Sequence, residues 1–389
     1  MKTITTFLLC HPVFTGLKRF INKEDAMSDG ALHAPESKPA PVVKPGEFVF
    51  AAVGLYHGHI YGMCNGLLEA GGILKSYYDP DPRYREQFAK RFAGAHEAAS
   101  EEEILADPEI LLVAGATKTD ERCALGLRVM AAGKDYFTDK APLTTLEQLD
   151  LARDAVQKTG KKYAVYYSER IHVESAVFAG QLIEQGAIGR VLQVIGFGPH
   201  RLGSIEKPGK PGRPAWFFVK KHYGGILCDI GSHNVEQILY YTGAKNGTVV
   251  RSHIANYNHP EYPELDDFGD CELVLDNKTT GYFRVDWFTP DGLQNWGDGR
   301  LFILGTEGFI EQRKYLNLGV KDSGGSYVFL ANSKEERAYN VTGNVGYPFF
   351  GQLILDCLNR TENAMTQDHA FKAAELSLIA QRDAVILAP

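Results

Sequence analysis

Along the first part of the chain, short unbroken apolar runs alternate with segments in which apolar residues recur every three or four positions. Phe48–Gly54 (FVFAAVG) is a compact apolar run of strand length, and a helical pattern through Leu67, Leu68 and Ala70 follows a glycine-bearing turn. Ile73–Asp79 (ILKSYYD) reads as a second strand closing on an acid, and DPRYREQFAKRF as a helix with Pro82 in its first turn. Glu102–Ala116 gives a short helix, a turn at Asp107-Pro108 and a buried strand. Glu121–Lys140 repeats the unit, with Gly133 as helix C-cap. Thr144–Lys158 is another helix and KKYAVYYS another strand. This alternation predicts a doubly wound parallel sheet in an α/β protein.

The pattern changes after Ser168. One helix, Val173–Gln185, leads through Gly186 and Gly189 into the long strand RVLQVIGFGPH, and a second helix spans Asp229–Tyr241. TVVRSHIANY, FGDCELVL, TGYFRVDWF, RLFILG and GFIEQR then follow without intervening helices, which predicts a large, mostly antiparallel sheet. Helices can cover only one of its faces, so the apolar side of strands such as YFRVDWF calls for a second copy of the chain, in a homodimer or homotetramer. Two helices close the chain, near Phe349–Leu358 and His369–Ile386, and the last is placed to pack back on the first domain. The expected division is a disordered tail or misassigned start over 1–46, a first domain over 47–168 and a second over 169–389. Met27 is a plausible true start, and residues 28–46 are polar and proline-rich.

Composition narrows the function classes. The 389 residues suit two or three domains, and 44% hydrophobic with 23% charged residues is globular usage. A net charge of −7 argues against a nucleic-acid partner, and no apolar run is long enough to span a membrane. Cys10, Cys64, Cys123, Cys228, Cys271 and Cys357 are scattered without a CxxC pair, which predicts reduced thiols in a cytoplasmic protein and no metal site.

Two constellations carry candidate chemistry. Val53–Gly62 (VGLYHGHIYG) joins the first strand to its helix, with Gly54, Gly58 and Gly62 spaced G-x-x-x-G-x-x-x-G. Glycines there let the backbone approach a pyrophosphate, and the helix N-terminus supplies N–H donors. Asp79, 25 residues after Gly54, is where a carboxylate accepts from ribose hydroxyls and repels a 2′-phosphate, favouring NAD over NADP. Together these predict a Rossmann domain. In Gly224–His233 (GGILCDIGSH), Asp229 caps or opens a helix, and His233, four residues on, projects from the same face.

With these segments in place the chain resembles the glucose–fructose oxidoreductase, inositol dehydrogenase and rhizopine-catabolism family (Gfo/Idh/MocA), from Phe48 to Ala388. The resemblance rests on the strand–glycine turn, the strand ending at Asp79, AAGKDYFTDKAPLTT, QGAIGRV, the GG-x3-D-x-G-x-H stretch and YYTG. It implies a nicotinamide cofactor at the sheet's C-terminal edge, with Gly54, Tyr56, His57, Gly58, His59, Asp79, Ala116, Thr117 and Lys140 against it. It also implies catalytic roles for Lys140, Asp229 and His233: a substrate alcohol lies between Lys140 and His233, one of which takes the hydroxyl proton. Three departures stand out. The turn lacks its middle glycine, Ala141 separates Lys140 from Pro142, and TKTDER replaces the family's T-P-N-x-x-H.

The leading expectation is therefore an NAD-dependent dehydrogenase acting on a ring hydroxyl of a sugar, sugar acid or inositol-like polyol. An alternative is an NAD-dependent glycoside-cleaving enzyme, which needs a further acid or base from Tyr167, Glu169 or His172. A non-catalytic NAD-binding regulator is the third reading. From His200 to His222 the chain carries Arg201, Lys207, Lys210, Arg213, Lys220 and Lys221 against the single acid Glu206. That local reversal of charge predicts preference for an anionic carbohydrate. Glu169, Arg170, Arg201, Trp216, Lys220, His222 and His233 are the expected substrate contacts, with Phe217 beside Trp216 as an apolar wall.

Overall fold

The computed structural model describes residues 32–36, 38–205, 212–321 and 323–387. The readings for residues 1–31, and for Glu206, Lys207 and Lys210, lie outside the described residues.

Strands β1 (Val49–Val53), β2 (Ile73–Tyr78), β3 (His96–Glu97), β4 (Leu112–Gly115), β5 (Asp135–Asp139) and β6 (Tyr163–Tyr166) form one sheet in the order β3-β2-β1-β4-β5-β6. Every pairing in it is parallel. The connections carry helices α1 (His59–Glu69), α2 (Pro82–Arg91), α3 (Glu101–Ala106), α4 (Arg122–Ala131) and α5 (Leu146–Thr159). The strands read as continuous apolar runs because both faces are covered: all five residues of β5 and all four of β4 and of β6 are buried. The order reverses between β1 and β4, and the crevice above their C-terminal ends is the topological switch point where ligands bind in open α/β sheets.

Beyond helix α6 (Glu174–Glu184) lie β7 (Val191–Pro199), helix α7 (Gly231–Thr242), and strands β8 (Gly247–Ala255), β9 (Phe268–Leu275), β10 (Thr280–Asp286), β11 (Arg300–Gly305), β12 (Gly308–Arg313), β13 (Tyr327–Asn332) and β14 (Glu336–Asn340). Helices α8 (Pro348–Asn359) and α9 (Gln367–Arg382) and the short strand β15 (Val385–Ile386) complete the chain. The second sheet runs β14-β13-β12-β11-β7-β10-β9-β8-β15. Its pairs are antiparallel except β7/β10 and β8/β15. Two glycines of β7 let α7 lie close to it: a Cβ at Gly196 would sit 2.3 Å from Asn234 Oδ1, and one at Gly198 3.2 Å from Asn234 Nδ2. The other face stays open, with Phe302, Leu304 and Phe309 exposed.

Two readings need correction. Residues 28–46 are not a tail throughout. The Val42 N–H donates to the Ala70 carbonyl (3.0 Å), and Val42, Val43 and Pro39 fill the space that side chains at Gly351, Gly71 and Gly346 would take. The apolar residues hidden in this proline-rich stretch find a surface made of glycines. The last helix does bridge the domains: Gln367 Oε1 accepts the Tyr163 N–H (2.8 Å) and Glu375 pairs with Arg153 (2.6 Å). The closing strands β13 and β14 were not anticipated. Among the described residues no helix is long and apolar enough to cross a membrane.

Candidate active site

The turn after β1 is shaped for close approach. Gly54 has φ +74°, and a Cβ there would lie 2.7 Å from Thr117 Cβ, so no larger residue fits without moving the end of β4. Gly54 donates to the Tyr78 carbonyl and accepts from Ala116 N, while His57 N donates to the Ala116 carbonyl, locking turn, β2 and β4 together (2.9–3.0 Å). Gly58 opens α1 with free space where a side chain would be, and no side chain caps the helix. A helix N-terminus beside a glycine that leaves room fits a dinucleotide pyrophosphate. Tyr56 stands at the lip, its ring 4.6 Å from that of Tyr84 and under the Lys118 ammonium (5.7 Å).

Asp79 closes β2 beside the glycine turn, as expected. It is fully buried; Oδ2 accepts the Leu55 N–H (2.6 Å) and Oδ1 the Asp81 N–H (2.8 Å). The carboxylate thus staples the glycine turn to the turn after β2, with one N–H on each oxygen. Burial raises its pKa, opposed by those two hydrogen bonds.

Lys140, Asp229 and His233 come from three places and meet at the seam between the domains. Lys140 follows β5, and its Nζ donates to Asp229 Oδ1 at 2.8 Å, with both residues less than a tenth exposed. Burial alone would raise the Asp229 pKa, but the Lys140 ammonium outweighs it and holds the carboxyl below its usual value. Asp229 ends the helical turn Ile226–Asp229, and α7 begins two residues later with Ile230 at its cap. The expected helix cap is therefore an ion-pair partner instead, with its carboxylate on the Lys140 ammonium. His233 is 1% exposed, and its Nδ1 has no partner among the described residues. Burial pushes its pKa well down, opposed by Glu169 and reinforced by Lys140.

Lys140 is aimed by a residue the sequence did not single out. Arg122, 2% exposed, lies in the TKTDER stretch. Its Nε donates to the Thr117 carbonyl (2.9 Å), Nη1 to the carbonyls of Lys140 and Ala141 (2.9 Å to the latter), and Nη2 to Asp139 Oδ2 (3.0 Å). The Lys140–Ala141 peptide bond is cis. One guanidinium therefore ties the end of β4 to the end of β5, where the lysine starts.

The substrate side is built on a buried ion pair. Glu169 pairs with Lys314, and His200 Nε2 lies 3.7 Å from the other carboxylate oxygen. Burial would raise the Glu169 pKa, but Lys314, His233 and His200 hold it far below the usual range. Burial lowers His200 to about 4, opposed by Glu169. Trp296 lies 4.4 Å and Trp287 5.5 Å from the His200 ring. Arg213 stacks on Trp287 (4.3 Å) and Phe217 (4.6 Å), and burial lowers its pKa to about 10, opposed by Asp229. The indole N–H groups of Trp216 and Trp287 are buried without acceptors among the described residues, leaving two donors for a bound hydroxyl.

Several expected substrate contacts are spent elsewhere. Arg201 Nη2 donates to the carbonyls of Pro290 and Leu293 (2.8 and 2.6 Å). Lys220 pairs with Asp266 (2.8 Å) and His222 with Asp120 of the first domain (2.7 Å). Arg170 points inward, pairing with Glu236 (2.5 Å) and stacking on Tyr240 (4.1 Å). In each case a nearby carbonyl or carboxylate engages the side chain, while Arg201 Nε keeps no hydrogen-bond partner among the described residues. Tyr167 donates to the Ala370 carbonyl (3.1 Å) and His172 Nδ1 meets Tyr166 Oη (2.5 Å), so neither is a free acid or base.

Comparison with known proteins agrees with this layout. The family model described as the GFO/IDH/MocA C-terminal domain matches residues 177–311. A scyllo-inositol 2-dehydrogenase (NAD(+)) of Bacillus subtilis (strain 168) is 28% identical over 245 residues, 62% of this chain and 66% of that protein. A levoglucosan dehydrogenase of Pseudarthrobacter phenanthrenivorans is 27% identical over 172 residues, 44% of this chain and 43% of that one. The stretches aligned with these curated relatives span less than two thirds of their length. A crystal structure from Erwinia carotovora atroseptica SCRI1043, described as an oxidoreductase, is 52% identical with a TM-score of 0.83, covering 88% of this chain and 100% of that one.

Proposed function

The chain belongs to the GFO/IDH/MocA family of oxidoreductases, and from that premise we propose that it is an NAD-dependent dehydrogenase oxidising a ring hydroxyl of a sugar, sugar acid or inositol-like polyol. One observation carries the reading: a lysine–aspartate pair and a buried histidine with an unpartnered nitrogen stand together beside a dinucleotide-shaped glycine turn. The choice of NAD is supported by the similarity to the NAD(+)-dependent scyllo-inositol 2-dehydrogenase of Bacillus subtilis.

When bound, the nicotinamide supplies the hydride acceptor. Gly54, Tyr56, Gly58, Ala116 and Thr117 would hold the dinucleotide and Lys140 would flank its reactive end. The remaining chemistry belongs to the protein. Asp229 fixes Lys140 so that its ammonium donates to the substrate oxygen. His233, kept neutral by burial, takes the hydroxyl proton on its free nitrogen. Glu169 lies close enough to favour the imidazolium that forms, while Lys314 keeps Glu169 ionised. The apolar walls from Trp216, Phe217 and Trp287 suit the faces of a ring substrate and exclude water.

For an anionic carbohydrate the candidate cations are Arg201 and Arg213, each bonded to two backbone carbonyls, and Arg213 is the one coupled to Asp229. An elimination route would need another free acid or base, and Tyr167, Glu169 and His172 are all engaged. The open face with Phe302, Leu304 and Phe309 is the proposed contact between copies in a dimer or tetramer. The proposal is tested by supplying NAD with inositols, aldoses and sugar acids. A substrate-dependent gain of reduced cofactor supports it, and tight NAD binding without turnover on any of them counts against it.

A further inference from the structure

We infer that His57 and His59 form a proton-linked clamp for the cofactor's pyrophosphate, both imidazoles being held by one buried carboxylate, Asp139. The inference rests on the dinucleotide reading above. His59 Nδ1 lies 2.8 Å from Asp139 Oδ1 and His57 Nδ1 3.0 Å from Oδ2. Asp139 also accepts the Lys140 N–H on Oδ1 (2.7 Å) and Arg122 Nη2 on Oδ2 (3.0 Å). Four donors thus fill the four acceptor directions of this carboxylate. Burial would raise its pKa, but His59, Arg122 and His57 overcome it and hold the carboxyl well below its usual range.

An ionised carboxylate at that distance fixes the proton of each histidine on Nδ1. The His59 backbone N–H also reaches His57 Nδ1, at 3.3 Å, but the carboxylate is closer and charged and sets the tautomer. Nε2 is then the ring nitrogen left on each side chain, and both side chains are 30% exposed at the mouth of the glycine turn. The rings meet edge to face at 4.2 Å on either side of Gly58, the position with open space over its Cα. This is where the missing middle glycine of the turn would have given backbone contacts, so the pair takes over that part of the phosphate site.

A neutral imidazole with its proton on Nδ1 offers only a lone pair at Nε2, which a phosphate oxygen cannot use. His57 must therefore take up a proton as the dinucleotide enters. In the free protein burial and His59 push the His57 pKa down to about 4, opposed by Asp139, so its Nε2 is empty at neutral pH. The charged and titratable groups around the pair are Asp139, Arg122, Lys140, Tyr166 and His172 from the first domain and its junction, and Asp229 and His233 from the second. A phosphate charge at about 4 Å raises an imidazole pKa by about three at an effective dielectric near 20, enough to bring it to neutrality. The three side chains also bring ligand atoms within 4.8 Å of one another, as a metal site would. The filled acceptor directions of Asp139, with Arg122 and Lys140 alongside, favour an anion there over a cation.

The test is calorimetry of NAD, and of ADP-ribose, which keeps the pyrophosphate and lacks nicotinamide, at pH 6, 7 and 8 in buffers of different ionisation heat. The expected result is uptake of about half a proton at pH 7 for both ligands, rising toward one at pH 6, with affinity falling about tenfold between pH 6 and pH 8. The double variant His57→Gln, His59→Gln should bind about tenfold more weakly at pH 6. It should also lose both the uptake and the pH dependence. Thermal melting checks that it folds; if it does not, the buffer comparison on the unmodified protein decides alone. Binding of NAD without proton uptake, or uptake that survives in the double variant, overturns the clamp while leaving the dinucleotide site intact. Failure of NAD and ADP-ribose to bind at any pH removes the dinucleotide reading and the clamp with it.

Discussion

Replacing Lys314 with methionine tests whether the Glu169–Lys314 pair is the electrostatic floor of the substrate site. The two residues are 2% and 1% exposed, so the variant strands a carboxylate where water cannot reach it. Breaking a buried pair by removing one partner costs about 3–5 kcal/mol. In a chain of this size that corresponds to a fall of roughly 4–6 °C in melting temperature. The pH dependence separates this cause from lost packing. In the unmodified protein Glu169 has a depressed folded pKa, so its contribution is present above the unfolded value of about 4.3 and disappears only as pH falls through the folded value. In the variant, burial without Lys314 raises the folded pKa above 4.3, and the penalty grows with pH from 4.3 up to that raised value. Thermal melts at pH 5 and pH 8 should therefore show a larger deficit at pH 8, and adding Glu169→Gln should recover most of it. A deficit equal at both pH values, or unaffected by Glu169→Gln, would refute the reasoning.

Three further outcomes follow from the site. Lys140→Ala and His233→Ala should each lower turnover by roughly 10²–10⁴-fold, with NAD affinity nearly unchanged for His233→Ala; near-normal turnover in that variant leaves the histidine a purely structural role. Arg213→Met should remove any preference for a sugar acid over its neutral counterpart in kcat/KM at low ionic strength, whereas Arg201→Met should not, because Arg213 is the cation coupled to Asp229. Light scattering at micromolar concentration should give the mass of a dimer or tetramer, and Phe302→Glu with Leu304→Glu should lower it; a monomeric mass for the unmodified chain would contradict the proposed sheet contact.

The α/β organisation was legible because its signals are local. Apolar runs and amphipathic segments alternate within a few residues of each other, and the change to consecutive strands after Ser168 marks the second domain. Strand β14 escaped because ERAYN lacks an apolar run, whereas β13, YVFLAN, carries one that was overlooked. The proposed catalytic trio comes from motifs, while what surrounds it does not. Glu169 and Lys314 are 145 positions apart, and Arg122 reaches Asp139 and Lys140 across 17 and 18, so nothing along the chain marks these contacts. Arg201 shows the opposite failure. It has the right residue type at the right place in the chain, but backbone carbonyls lie nearer than the ligand would. Local sequence gives the charge, whereas only packing decides which partner it finds.

The central claim is direct hydride transfer from a ring carbon to nicotinamide with the proton going to His233. Its most direct measurement uses a substrate found in the polyol and sugar panel, deuterated at a single ring carbon, with NAD and the unmodified protein. The account predicts that the deuterium appears on the nicotinamide ring in the isolated cofactor, and that His233→Ala slows this transfer at saturating NAD. Deuterium lost to water, or retained in a product formed without reduced cofactor, would contradict it.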